Sequence, residues 1–293
     1  MTNQNYDSEQ IIDINSNNVT TSSIDADYPE QHYLKLILIY FLTMYFASSI
    51  FQIVVMSLYK VIFDMPTGST DANGVIVYTK HFQDFVNLWT QIGVYGMIFA
   101  VLVLSLKKVI RADLFRTKGH MKDTFKKAGK GILYVYVASY VSNIILMILQ
   151  VVDESENQTA IVDMLHSSQT FAVVLYCAIL IIVAPIVEEL IFRKAMFGYL
   201  RKFKFSKNIK ILITGLLFGG IHVATAILVM LIEKASFNVI ITEVLLGIPY
   251  CVMGCVLGYI YVESDENVVV PTLVHMFNNA LSVILNLFLI YYI

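Results

Sequence analysis

Charge is scarce in this sequence: only 14% of its 293 residues are Asp, Glu, Lys or Arg, against about 25% in a typical soluble domain. With 57% hydrophobic residues, that shortage excludes a water-soluble globule. It equally excludes a disordered chain, which needs few apolar groups and a high net charge. The formal net charge is −2, so there is no overall basic footprint for nucleic acid. The three cysteines, Cys177, Cys251 and Cys255, all lie in apolar stretches. They are too few for a disulfide framework and are not clustered as metal ligands. Cys251 and Cys255 are four apart and read as small packing residues on one helix face. The first thirty residues contain no Lys or Arg, the reverse of a signal peptide, which opens with basic residues before a short apolar run. Residues 1–32 therefore read as a disordered acidic tail.

What is present in abundance is long apolar runs. A bilayer-spanning helix needs about 20 such residues, and seven segments qualify: 35–60, 85–106, 131–152, 170–193, 209–232, 237–262 and 268–293. Backbone in lipid must satisfy its own hydrogen bonds, so these are expected to be helices. The fold class is all-α, a polytopic transmembrane helix bundle. The expected division is a tail to residue 32, N-terminal membrane helices over 33–165 and a C-terminal core over 166–293.

Orientation follows from Lys and Arg. Of the 20 such residues, sixteen fall within Lys107–Lys130 and Arg193–Lys210, so both connections are expected to face the cytoplasm. The 153–169 loop opens Asp153-Glu154-Ser155-Glu156 without a basic residue and is expected outside. Alternation then places the N-terminus inside, as expected for a multi-pass protein of the cell membrane. The 263–268 connection is acidic yet falls inside, which the rule tolerates because acids contribute little to it. Lys118, Lys122, Lys126 and Lys127 also suit anionic lipid headgroups.

Polar groups inside apolar segments are expensive and usually have a task. Three places carry them. Pro185-Ile186-Val187-Glu188-Glu189-Leu190-Ile191-Phe192-Arg193 closes the fourth apolar run. Glu189 and Arg193 are spaced for a helical ion pair with the acid N-terminal, while Glu188 points about 100° away and is free to face something else. Pro185 opens the helix nearby. Taken alone, this pair of acids also reads as a helix end meeting a basic boundary. Phe218-Gly219-Gly220-Ile221-His222 lies in the fifth run, with Phe218 and His222 on one face and Gly215 and Gly219 as a small-xxx-small contact. His275-Met276-Phe277-Asn278-Asn279 lies in the seventh, with His275 and Asn279 sharing a face. Each histidine alone also reads as packing or interhelical glue. Together, a carboxylate, two imidazoles and an amide on three helices exceed what packing requires. They supply what hydrolysis by water needs: a proton acceptor, a shuttle and donors for an oxyanion.

These three motifs, in this order and spacing, resemble the signature of the CAAX prenyl endopeptidase and bacterial Abi family, the intramembrane glutamic proteases also called CPBP proteins. The resemblance covers about residues 170–290 and implies a four-helix catalytic core. It implies that Glu188 activates water together with His222, that His275 and Asn279 form the oxyanion hole, and that Glu189, Arg193 and Phe218 support the site. It implies an endopeptidase acting on a peptide or membrane-protein substrate. The Ile-, Asn-, Lys- and Tyr-rich composition suggests a bacterial source, and with it peptide processing, bacteriocin self-immunity or surface-protein regulation. Family labels often read metalloprotease, and two His with a Glu suit zinc. The amide fits oxyanion binding better than ligation, so no cofactor is expected. A non-catalytic scaffold binding a partner such as a sensor kinase is the alternative. A proton-coupled transporter draws only on Glu243, another acid in an apolar run, and no inverted repeat accompanies it.

Overall fold

The computed structural model describes residues 28–63, 67–71, 74, 76–167 and 170–292. Most of the expected acidic tail, residues 1–27, lies outside them, and the part that is described already turns into helix at Glu30. Helix α1 spans Glu30–Phe63 and is followed by a short antiparallel hairpin, β1 Gly68–Thr70 and β2 Ile76–Tyr78. Then come α2 (Lys80–Ser105), α3 (Lys107–Gly119), α4 (Met121–Ile148) and α5 (Glu156–Leu165). The C-terminal part consists of α6 (Thr170–Phe203), α7 (Lys207–Ile232), α8 (Phe237–Leu246), α9 (Ile248–Glu263) and α10 (Val269–Tyr292). Seven stretches are long and apolar enough to cross a membrane: α1, α2, α4, α6, α7, α8 with α9, and α10. They coincide with the seven apolar runs of the sequence. Exposed side chains such as Phe46, Ile50, Leu104, Val141 and Leu228 form the apolar outer surface that a bilayer requires.

Three elements were not expected from the sequence: the hairpin, α3 and α5. The fourth span is also longer than its apolar run suggests. It continues through Lys194 to Phe203, because Arg193 and Lys194 are buried and paired instead of ending the helix. The most enclosed of the seven spans is α6. Its Val187, Leu190, Ile191, Phe192 and Phe197 pack against Tyr33, Leu36 and Tyr40 of α1, Val94, Ile98 and Leu102 of α2, Phe218 of α7 and Tyr261 of α9.

The connections sort to two ends. At one end Lys130 pairs with Glu263, Lys127 with Asp265, Arg201 with Glu266 and Lys194 with Asp113. The acidic 263–268 turn is therefore neutralised by both basic connections, which explains an acidic loop on a basic face. At the other end Lys80 donates to the Asp163 carbonyl, Gln158 to Asn286, and the Ser167 hydroxyl to Asp84. That gathers the start of α2, α5 and the far end of α10 together, as strict alternation of seven spans demands.

Candidate active site

Helix α6 departs from regular α geometry on both sides of its acids. Residues Ile179–Val183 and Leu190–Ala195 form wide π turns that flank Glu188 and Glu189. The first has a cause in the sequence: Pro185 lacks an N–H and its ring crowds the preceding turn, so the backbone widens there. π turns inside helices free carbonyls and recur at functional sites. The Leu180 carbonyl is one such group, and the Asn279 side-chain amide donates to it at 2.9 Å.

Glu188, Glu189, Arg193 and His275 are all buried. Arg193 Nε donates to Glu189 Oε2 at 2.9 Å, and its Nη2 reaches Glu189 Oε1 at 3.5 Å. The helical ion pair expected from the spacing is thus formed. The second partner of Glu189 was not foreseen: His275 Nδ1 lies 3.1 Å from Glu189 Oε1. An ionised carboxylate only accepts, so Nδ1 carries the hydrogen, and the other ring nitrogen is turned toward the neighbouring acid. His275 Nε2 stands 3.7 Å from Glu188 Oε2, too long for a direct hydrogen bond. Among the described residues Glu188 is therefore the carboxylate without a strong direct partner, as its helical angle suggested.

His222 is set by its own helix. Its Nδ1 lies 2.7 Å from the Phe218 carbonyl. A carbonyl cannot donate, so Nδ1–H does, which leaves Nε2 free of the helix backbone. The ring is fixed between two others. Phe218 lies 4.7 Å away centroid to centroid, and Tyr250 of α9 stacks on it at 4.5 Å and 14°. The Phe218 ring joins the cluster: it meets His275 at 5.7 Å, Phe192 at 5.2 Å and the Arg193 guanidinium at 5.6 Å. Among the described residues His222 makes no direct polar contact with Glu188 or His275; it shares their site through Phe218.

The three motifs reach one level because α6 and α7 form a hairpin that projects beyond the α9–α10 turn. Arg193 precedes the end of α6 by ten residues and Phe218 follows the start of α7 by eleven, so an antiparallel pair places them side by side. Close approach of α7 to α9 comes from Gly215 and Gly219. A Cβ on Gly219 would lie 2.7 Å from Cys251 Cα, and one on Gly215 3.0 Å from Cys255 Cα. The two cysteines serve as small packing residues there.

Sequence reasoning did not single out Tyr250 or Tyr40. The Tyr250 hydroxyl meets Ser155 Oγ at 3.0 Å and Asn157 Nδ2 at 3.2 Å, so the ring over His222 is tethered to the loop and first turn of α5. The Tyr40 hydroxyl, on α1, is buried without a hydrogen-bond partner among the described residues, and its ring contacts Phe192 at 6.2 Å. A phenol within an apolar run is the one signal that marks either. Glu243 sits at the opposite end from the basic connections, where its Oε2 accepts from the Glu156 backbone at the start of α5. A cavity of about 810 Å³ between the first turns of α6 and the last turns of α10, lined by Val173, Val174, Ile284 and Phe288, belongs to that end as well and not to the acids. Among the described residues no three His, Cys, Asp or Glu side chains are grouped to hold a metal ion.

Residues 170–281 match the family model described as type II CAAX prenyl endopeptidase Rce1-like. The resemblance read from the three motifs is borne out over that stretch, which contains all of them. No curated protein and no solved structure matches the chain.

Proposed function

We propose, starting from the similarity of residues 170–281 to the Rce1-like CAAX prenyl endopeptidases, that this multi-pass membrane protein is an intramembrane endopeptidase using a glutamate- and histidine-activated water. The observation that carries the reading is the meeting of α6, α7 and α10. Among the described residues Glu188 is buried and lacks a strong partner, His275 stands between Glu188 and the Glu189–Arg193 pair, and His222 is held by its Nδ1 with Nε2 left over.

In this mechanism Glu188 accepts the proton of the attacking water, and His222 Nε2 orients that water and passes the proton toward the leaving amine. Glu189 holds His275 by its Nδ1 and is itself neutralised by Arg193. That fixes the ring so that its Nε2 meets the oxyanion of the tetrahedral intermediate, as preorganised donors must. For Nε2 to donate there, both ring nitrogens must carry hydrogens. Asn279 supplies a further donor. One of its two N–H groups is occupied by Leu180, so the other serves the oxyanion. Phe218 packs against the guanidinium and both imidazoles. The substrate is a peptide or membrane-protein segment, and the physiological setting is peptide processing, bacteriocin self-immunity or surface-protein regulation in a bacterium.

The reading is tested by comparing peptides released by cells that carry the protein with those from cells that lack it. Mass spectrometry should show defined products that vanish on deletion. A purified preparation should retain that cleavage in strong chelators. Identical peptide profiles with and without the protein would favour a scaffold instead.

A further inference from the structure

Helix α3 has two unlike faces. Its inner face is bolted to the bundle. Asp113, fully buried, pairs with Lys194 of α6 at 2.8 Å and Arg116 at 2.9 Å, and accepts from the Val268 backbone at 2.9 Å. Asn267 and Asp265 of the α9–α10 turn add bonds to the Asp113 carbonyl, Thr117 and Arg116. The outer face is different. At 100° per residue, Lys107, Lys108, Arg111 and Lys118 fall within an arc of about 120° together with Leu114 and Phe115. All six are exposed, Leu114 at 53% and Phe115 at 60%. No acid lies on this arc, and none of the four cations has an ion-pair partner among the described residues.

We infer that this face of α3 is a docking surface for anionic phospholipid headgroups. Three observations select that occupant. First, α3 is covalently continuous with membrane-spanning helices at both ends, starting two residues after Ser105 of α2 and ending two before Met121 of α4, so it is tied to the membrane face of the bundle. Second, cations interleaved with a large aromatic and a leucine match a layer of phosphates above acyl chains; long basic side chains lie over apolar surface and keep their charges at the phosphates. Third, the charges are left uncompensated, whereas Lys127 and Lys130 at the start of α4 are already paired with Asp123, Asp265 and Glu263. Lys127, counted with the lipid-facing lysines from sequence alone, therefore drops out, and the surface centres on α3. Because Lys194 follows Arg193 directly, lipid held on the outer face of α3 steadies the helix that carries Glu188 and Glu189. Nothing in this inference depends on the protein being a protease.

The test uses the purified full chain in neutral detergent with added phosphatidylglycerol or phosphatidylcholine, reading the thermal unfolding midpoint. Each cation near an anionic lipid surface is worth about fivefold in affinity. Phosphatidylglycerol should raise the midpoint in a salt-sensitive way, and phosphatidylcholine should not. Combining Lys107→Gln, Lys108→Gln, Arg111→Gln and Lys118→Gln should raise the half-maximal phosphatidylglycerol concentration at least tenfold. Phe115→Ser should weaken the response too, because a free anion would not need the ring. Changing Lys202, Lys204 and Lys207 to Gln should leave the response as in the parent. An unchanged response in the α3 variant would overturn the inference. So would a response that follows the 202–207 lysines, or an equal rise with inorganic phosphate or soluble polyglutamate.

Discussion

Glu189 is the residue on which the site's electrostatics turn. It is fully buried and binds Arg193 and His275 at once, so it fixes the tautomer of one and the position of the other. Removing one partner of a buried ion pair strands the remaining charge and costs about 3–5 kcal/mol. Arg193→Ala should therefore lower the unfolding midpoint in detergent sharply, and Glu189→Gln combined with Arg193→Met should recover part of the loss. A midpoint unchanged in Arg193→Ala would mean that the pair contributes nothing. The pair was legible in the sequence because i, i+4 spacing fixes neighbours on a helix. The His275 bond to Glu189 was not, because spacing within one helix says nothing of which acid a second helix meets. Asn279 shows the same limit. Its place on the His275 face was readable, but its bond to Leu180 depends on a carbonyl that only the π turn releases.

Among the elements, α3 separates what pattern can reveal from what it cannot. Its Lys and Arg set the expected side of the membrane, and they also masked an amphipathic helix. The lone acid between Lys107 and Lys122 was the available signal: Asp113 sits opposite the exposed cations and pairs instead with Arg116 and the buried Lys194. Asp113→Ala removes the buried carboxylate that pairs with the buried Lys194. A loss of about 3–5 kcal/mol is expected, against roughly 0.5 kcal/mol or less for Lys118→Ala on the exposed face. Thermal unfolding of the two variants in parallel checks this, and equal effects would contradict the asymmetry of the helix. The end of α6 was misplaced for the same reason. Arg193 and Lys194 looked like a membrane boundary, and only their buried partners show that the helix runs on to Phe203.

At the scale of the whole molecule the seven spans were fully legible, because twenty apolar residues in a row have few other uses. The hairpin and α5 were not, since short polar segments take their shape from the bundle end they cover. The clustering of basic connections at one end and α5 at the other predicts that a cysteine placed at Glu156 is labelled from outside intact cells and one at Lys126 is not. The reverse pattern would invert the topology. The central claim also spans the molecule: Glu188 on α6, His222 on α7 and His275 on α10 act on one water. Glu188→Gln keeps the shape of that side chain and removes its capacity to take a proton. The decisive measurement is product formation by Glu188→Gln and parent protein at matched membrane levels, with unfolding midpoints recorded for both. The account predicts loss of product at a near-parental midpoint; full product formation by Glu188→Gln would contradict it.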